Sequence, residues 1–88
     1  MMVIRMNNKV LVKIILESSS DNYDLFIPVN EYIWRIKKLI VKSLSNKNSE
    51  SEVYVLVNAD TGEIYDDNSI VLNTNIRNGS ELLFLNVK

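Results

Sequence analysis

Neither cysteine nor histidine occurs anywhere in the 88 residues. Without cysteine there is no disulfide, thiolate nucleophile, iron–sulfur cluster or zinc ribbon, and without histidine the commonest general base and metal ligand is missing as well. Stability must come from packing alone, in a chain of a size that buries only about 60–65% of its unfolded surface around a single core. The two glycines, Gly62 and Gly79, stand far apart, so no phosphate-cradling loop exists. A formal net charge of −1 gives no field for gathering nucleic acid or an anionic membrane, and a near-neutral surface suits protein contacts better. Long hydrophobic runs are absent too. No stretch approaches the roughly 20 apolar residues that span a bilayer, and residues 1–6 are too short for the apolar core of an export signal, with Lys13 interrupting the run that follows. The expectation is one cytoplasmic domain over residues 1–88, with residues 1–8 a loose lead-in and Met1, Met2 and Met6 all open as the start site. Neither a nucleic-acid partner nor direct membrane insertion is expected.

What the chain does contain is organised around YDLFIPVNEYIWRIKKLIVKSL, residues 23–44. Tyr23, Leu25 and Ile27 alternate with Asp24 and Phe26, as in a strand buried on one face. After Pro28-Val29-Asn30 the apolar period lengthens: Ile33, Ile36, Ile40 and Leu44 fall on one stripe of a helix predicted over about residues 31–45, while Arg35, Lys38 and Lys42 fall on the far side. Lys37 sits at the stripe's edge, where its stem packs and its ammonium reaches water. Asn30 is the predicted N-cap, Glu31 suits the positive end of the helix dipole, and Lys42 and Lys47 suit the negative end.

Before this stretch, Val10, Val12, Ile14 and Leu16 alternate with Leu11, Lys13, Ile15 and Glu17, a first strand joined to the second by the polar turn SSSDN in an antiparallel hairpin. After it, NKNSES reads as a surface loop and VYVLV as a strand. Ala59-Asp60-Thr61-Gly62 is a turn with Gly62 free to take positive φ, and Glu63-Ile64-Tyr65 a short returning strand. Ile70, Leu72 and Ile76 are the predicted anchors of an irregular segment, and Asn78-Gly79 turns the chain into a last strand, ELLFLNV. A lone helix covers one face of such a sheet and leaves the other open.

Chemistry-bearing groups are sparse. Asp66 and Asp67, with Asp60 and Glu63, lack the alternating oxygen ligands, central Gly and distal Glu of a calcium loop, and read as solvated turn carboxylates. Ser18 to Ser20 have no histidine to activate them. No catalytic residue, metal ligand or cofactor is assigned, and an enzyme is not expected. Arg35, Lys37, Lys38, Lys42 and Lys47 against Asp60, Glu63, Asp66 and Asp67 could form a docking dipole; a solvated helix face plus ordinary turn chemistry is the plainer reading. Trp34 and Val41 share a flank of the helix, where core-edge packing and partner binding are both open.

The stronger signal is on the sheet. If Val10, Val12, Ile14, Leu25, Ile27, Val55, Val57, Leu82 and Phe84 face the helix, strict alternation turns Leu11, Ile15, Phe26, Tyr54, Leu56, Leu83 and Leu85 outward. An open apolar patch beyond a few hundred Å² marks an interaction site in a small protein. These seven residues and Trp34 are the candidate protein-binding residues. Flanking loops, the N-terminal residues or a second copy of the chain could instead cover the patch.

The order of elements and the closing NIRNGSELLFL resemble ubiquitin, whose β-grasp sheet wraps one helix. More closely, YDLFIP, IKKLIVKSL and IRNGSELLFL resemble the small ubiquitin-like proteins of bacterial type VII (WXG100) secretion loci, the YukD/EsaB family, over about residues 10–85. The resemblance implies an α+β fold, a mixed sheet of four to five strands in the order β-β-α-β-β-β packed on one α-helix. It also implies a cytoplasmic accessory or regulatory protein that binds, without covalent chemistry, a membrane component of a secretion apparatus. The alternative is a self-associating structural or regulatory ubiquitin-like protein unrelated to secretion, the same patch being buried in a homodimer. Conjugation requires a flexible Gly-Gly tail, whereas this chain closes on Leu85-Asn86-Val87-Lys88, so a covalent modifier or sulfur carrier is not expected.

Overall fold

The computed structural model describes residues 8–17, 19, 21–44 and 53–87. Strands β1 (Lys9–Leu16) and β2 (Asp21–Pro28) form the first hairpin, helix α1 spans Ile33–Leu44, and β3 (Tyr54–Asn58) and β4 (Glu81–Asn86) complete one sheet of order β2-β1-β4-β3. Outer pairs are antiparallel and the central β1–β4 pair is parallel, so the sheet is mixed. Pro28, which has no N–H to donate, is tolerated because it ends an edge strand. Residues 1–7 and 45–52, with the predicted NKNSES loop and Lys47, lie outside the described residues, as does the side chain of Leu44.

The helix lays Ile33, Ile36 and Ile40, each fully buried, against Val12 and Ile14 of β1, Ile27 of β2 and Leu82 and Phe84 of β4. Fully burying an aliphatic side chain of this size is worth about 1.5–3 kcal/mol, so this one layer of contacts is what holds helix to sheet. Leu56 lies in the same core, and Tyr54 packs on its margin, stacked on Phe84 with ring centroids 4.5 Å apart. Here the structure corrects the predicted facing of β3: Tyr54 and Leu56 point inward and Val55 and Val57 outward. The run VYVLV is apolar at every position, so its alternation has no sign of its own. Pairing with β4 sets it, with Leu56 opposite Phe84 and Val57 opposite Leu83.

The helix begins at Ile33, and Asn30 is not its cap. Tyr32 instead pairs with Ile70 in an isolated antiparallel bridge, and its carbonyl accepts the N–H of Arg35 and of Ile36. The two earlier donors are met from a distant loop: Ile33 N–H donates to the Ser69 carbonyl at 2.9 Å and Trp34 N–H to the Asp67 carbonyl at 3.3 Å. Helix N-termini leave such donors unsatisfied by their own backbone, and residues 66–70 supply here what a capping side chain supplies elsewhere. Glu31, placed before the helix, reaches Arg35 at 3.9 Å.

Two smaller expectations change. Glu63-Ile64-Tyr65 is reduced to a single bridge between Ile64 and Val57, leaving four strands. In the irregular segment Val71 is fully buried and Ile76 nearly so, while Leu72 is exposed, because a single 3-10 turn over Val71–Asn73 rotates it outward. Gly62 and Gly79 take φ of 82° and 91°, left-handed values that favour glycine at both turns.

Candidate functional site

Strand register places the outward side chains in rows. Asn22 of β2, Ile15 of β1, Leu83 of β4 and Val57 of β3 stand side by side, and the Val57–Ile64 bridge continues the row. Leu85 and Val55 form the next row. At about 4.8 Å between strands, the apolar part from Ile15 to Val57 runs about 10 Å across the sheet. Ile15, Leu83, Leu85 and Val55 are half-buried, Ile64 is exposed, and Val57 forms a buried floor between them.

On the other side of this area runs a charged row, Asp24–Lys13–Glu81. Lys13 and Asp24 are 3.7 Å apart and both well exposed, a pair that adds little to stability and keeps the strip hydrated. Beyond it, Leu11 and Phe26 face one another, Phe26 63% exposed. Together with Asn78 and Gly79 they line a shallow cleft of about 380 Å³. Its end is fixed by one side-chain and one backbone bond, since Leu11 N–H donates to the side-chain Asn78 Oδ1 at 2.8 Å and Gly79 N–H to the Leu11 carbonyl at 2.8 Å.

The eight residues singled out in the sequence are therefore not one patch. Ile15, Leu83 and Leu85 come together, while Leu11 and Phe26 form a second area across the charged row. Tyr54 and Leu56 are on the inner face, Leu56 fully buried. Trp34 is on the helix layer, with the sheet between it and the outer face. Val55, Val57 and Ile64 complete the apolar area and were missed, the first two because the predicted alternation turns them toward the helix. For Ile64 the available signal was its place between Glu63 and Tyr65 in the predicted returning strand, because in extended chain neighbouring side chains point opposite ways.

The edge of this area is rigid. Tyr65 Oη donates to Asn75 Oδ1 at 2.6 Å and accepts from Asn58 Nδ2 at 3.0 Å, while Asn58 Oδ1 accepts the N–H groups of Asp60 and Thr61. Burial pushes the Tyr65 hydroxyl above its ordinary 10.0; the Asn58 hydrogen bond opposes this and the Glu63 carboxylate adds to it. Among the described residues no group of three or more carboxylates could hold a metal ion, and no helix is long and apolar enough to cross a membrane.

No protein-family model matches the chain, and no curated sequence matches it. Solved structures do. The N-terminal ubiquitin-like domain of the 4931431F19Rik protein is 26% identical, with a TM-score of 0.70 over 90% of this chain and 75% of that one. The ubiquitin-like domain of Plasmodium falciparum Dsk2 is 10% identical, with a TM-score of 0.71 over 89% and 97%. A chain of the MycP5-free ESX-5 inner membrane complex is 11% identical, with a TM-score of 0.73 over 92% of this chain and 21% of that one. The fold is the ubiquitin-like β-grasp, and domains of this fold are in general protein-binding modules.

Proposed function

We propose that this chain is a non-catalytic ubiquitin-like accessory of a type VII secretion apparatus, and that it acts by holding a membrane component of that apparatus against the outer face of its sheet. The observation that carries the binding role is the row Ile15–Leu83–Val57 with Leu85 and Ile64 beside it, an apolar area on the face the helix leaves uncovered. Apolar side chains left partly exposed in contiguous rows cost free energy in water and recover it when a partner covers them. The secretion role is supported by the YDLFIP, IKKLIVKSL and IRNGSELLFL segments. The ESX-5 inner membrane complex adds that a fold of this kind can form part of a membrane-complex chain.

Capture of secretion-complex proteins from detergent-solubilised membranes tests the reading. The wild-type chain retains a membrane component and Leu83→Glu with Leu85→Glu loses it while the circular dichroism spectrum is unchanged; equal retention by both contradicts it. Sedimentation of the isolated chain tests the homodimer: a dimer that Leu83→Glu dissociates gives the face to a second copy and removes it from the secretion partner.

A further inference from the structure

Trp34 and Tyr32, large aromatics exposed by 40% and 44%, stack on the helix layer with ring centroids 6.4 Å apart and planes within 14°. Arg35 and Lys38 each hold their charge 5.8 Å from the centre of the Trp34 ring. Trp34, Lys38 and Lys42 follow at intervals of four and so form one ridge along the helix. The core uses neither aromatic ring, and the outer sheet face does not reach them.

The charges around this ridge are unevenly satisfied. Asp67 is taken by Lys37 at 2.7 Å, and Glu31 approaches Arg35 only at 3.9 Å, an exposed contact of little strength. Among the described residues neither Lys38 nor Lys42 makes an ion pair. An aromatic shelf edged by three cations is complementary to a peptide that brings carboxylates to the cations and an apolar side chain to the rings. A nucleic-acid strand fits less well, since its phosphates call for an extended basic track and the chain carries net charge −1.

We propose that the Tyr32–Trp34 shelf, with Arg35, Lys38 and Lys42, is a docking site for an acidic peptide segment, separate from the sheet face. The chain then has two binding faces on opposite layers and can join two partners. The proposal goes beyond the secretion reading and does not depend on it.

Trp34 is the only tryptophan, so its fluorescence reports on the shelf directly. The probe is a peptide of about ten residues, long enough to follow the ridge, in which Asp and Glu flank one Phe. Its addition shifts Trp34 emission to shorter wavelength and shields it from acrylamide, and raising the salt reverses both effects. Lys38→Glu with Arg35→Glu weakens binding about tenfold or more, whereas Leu83→Glu leaves it unchanged. The proposal is overturned by an emission unaffected by the peptide, by binding that ignores the two charge reversals, by equal binding of a peptide with Lys in place of Asp and Glu, or by an oligothymidine that competes at the same salt. Because Leu83→Glu is the variant that tests the sheet face, loss of one site is told apart from loss of the other.

Discussion

Lys37 Nζ lies 2.7 Å from Asp67 Oδ1 and donates to the Tyr54 carbonyl at 2.8 Å, so one ammonium ties the helix to β3 and to the loop that caps the helix. The Lys37 side chain is only 18% exposed and Asp67 52%. This contact closes part of the charge separation between the helix and the acidic loop after β3 inside the molecule, which leaves less of it for docking. Lys37→Met keeps the packed stem and removes the charge. After discounting for the exposure of Asp67, the expected cost is about 1 kcal/mol in urea unfolding; a variant as stable as the wild type would show that the tie contributes nothing.

The facing of β3 separates two substitutions that look equivalent in VYVLV. Leu56→Ala opens a cavity in the core and is expected to cost about 2–5 kcal/mol, while Val55→Ala on the half-buried outer face costs about 1 kcal/mol or less. Thermal or denaturant unfolding of the pair checks this, and the reverse ranking would put Val55 inside.

Ionisation of Tyr65 gives a pH prediction with a definite sign. Below pH 10.0 the hydroxyl keeps its proton in both folded and unfolded chains, and its contribution to stability is fully present. Above that the unfolded chain releases the proton first and so binds fewer protons than the folded one; stability therefore falls as pH rises through the raised folded value. Tyr65→Phe removes this dependence and costs about 1–2 kcal/mol at neutral pH through the lost partners of Asn58 and Asn75. Unfolding midpoints measured from neutral to alkaline pH on both proteins test it, and parallel profiles would contradict the assignment.

Periodicity located most of the fold because each signal came with its own boundary. The helix stripe of Ile33, Ile36 and Ile40 is set against Arg35, Lys38 and Lys42, and the β1 face of Val12 and Ile14 against Lys13 and Glu17, which fixes which side is in. The failures fall where that contrast is missing or where the deciding partner is far along the chain. In VYVLV both faces are apolar, and only pairing with β4 chooses between them. At the helix start Asn30 has the side-chain type of a cap, yet the carbonyls of Asp67 and Ser69 meet those donors, and no local window contains them. The candidate site was legible as an apolar outer face but not as two areas, because the row Asp24–Lys13–Glu81 exists only after three strands come into register.

Asn78-Gly79 read as a turn in the sequence, and in the fold it also closes the end of β1. Gly79 has φ of 91°, and a Cβ there would meet no atom within 4 Å, so the cost of Gly79→Ala is backbone strain alone, about 1 kcal/mol. A loss far above that, measured by urea unfolding, would mean that the residue is crowded as well.

The proposed role requires the partner to sit on the sheet face opposite the helix. Titrating the captured membrane component into wild-type chain and into Leu83→Glu by calorimetry asks this most directly: the proposed role predicts heat of binding for the first and a loss of about a hundredfold or more in affinity for the second, which keeps a folded circular dichroism spectrum. Equal affinities would contradict it.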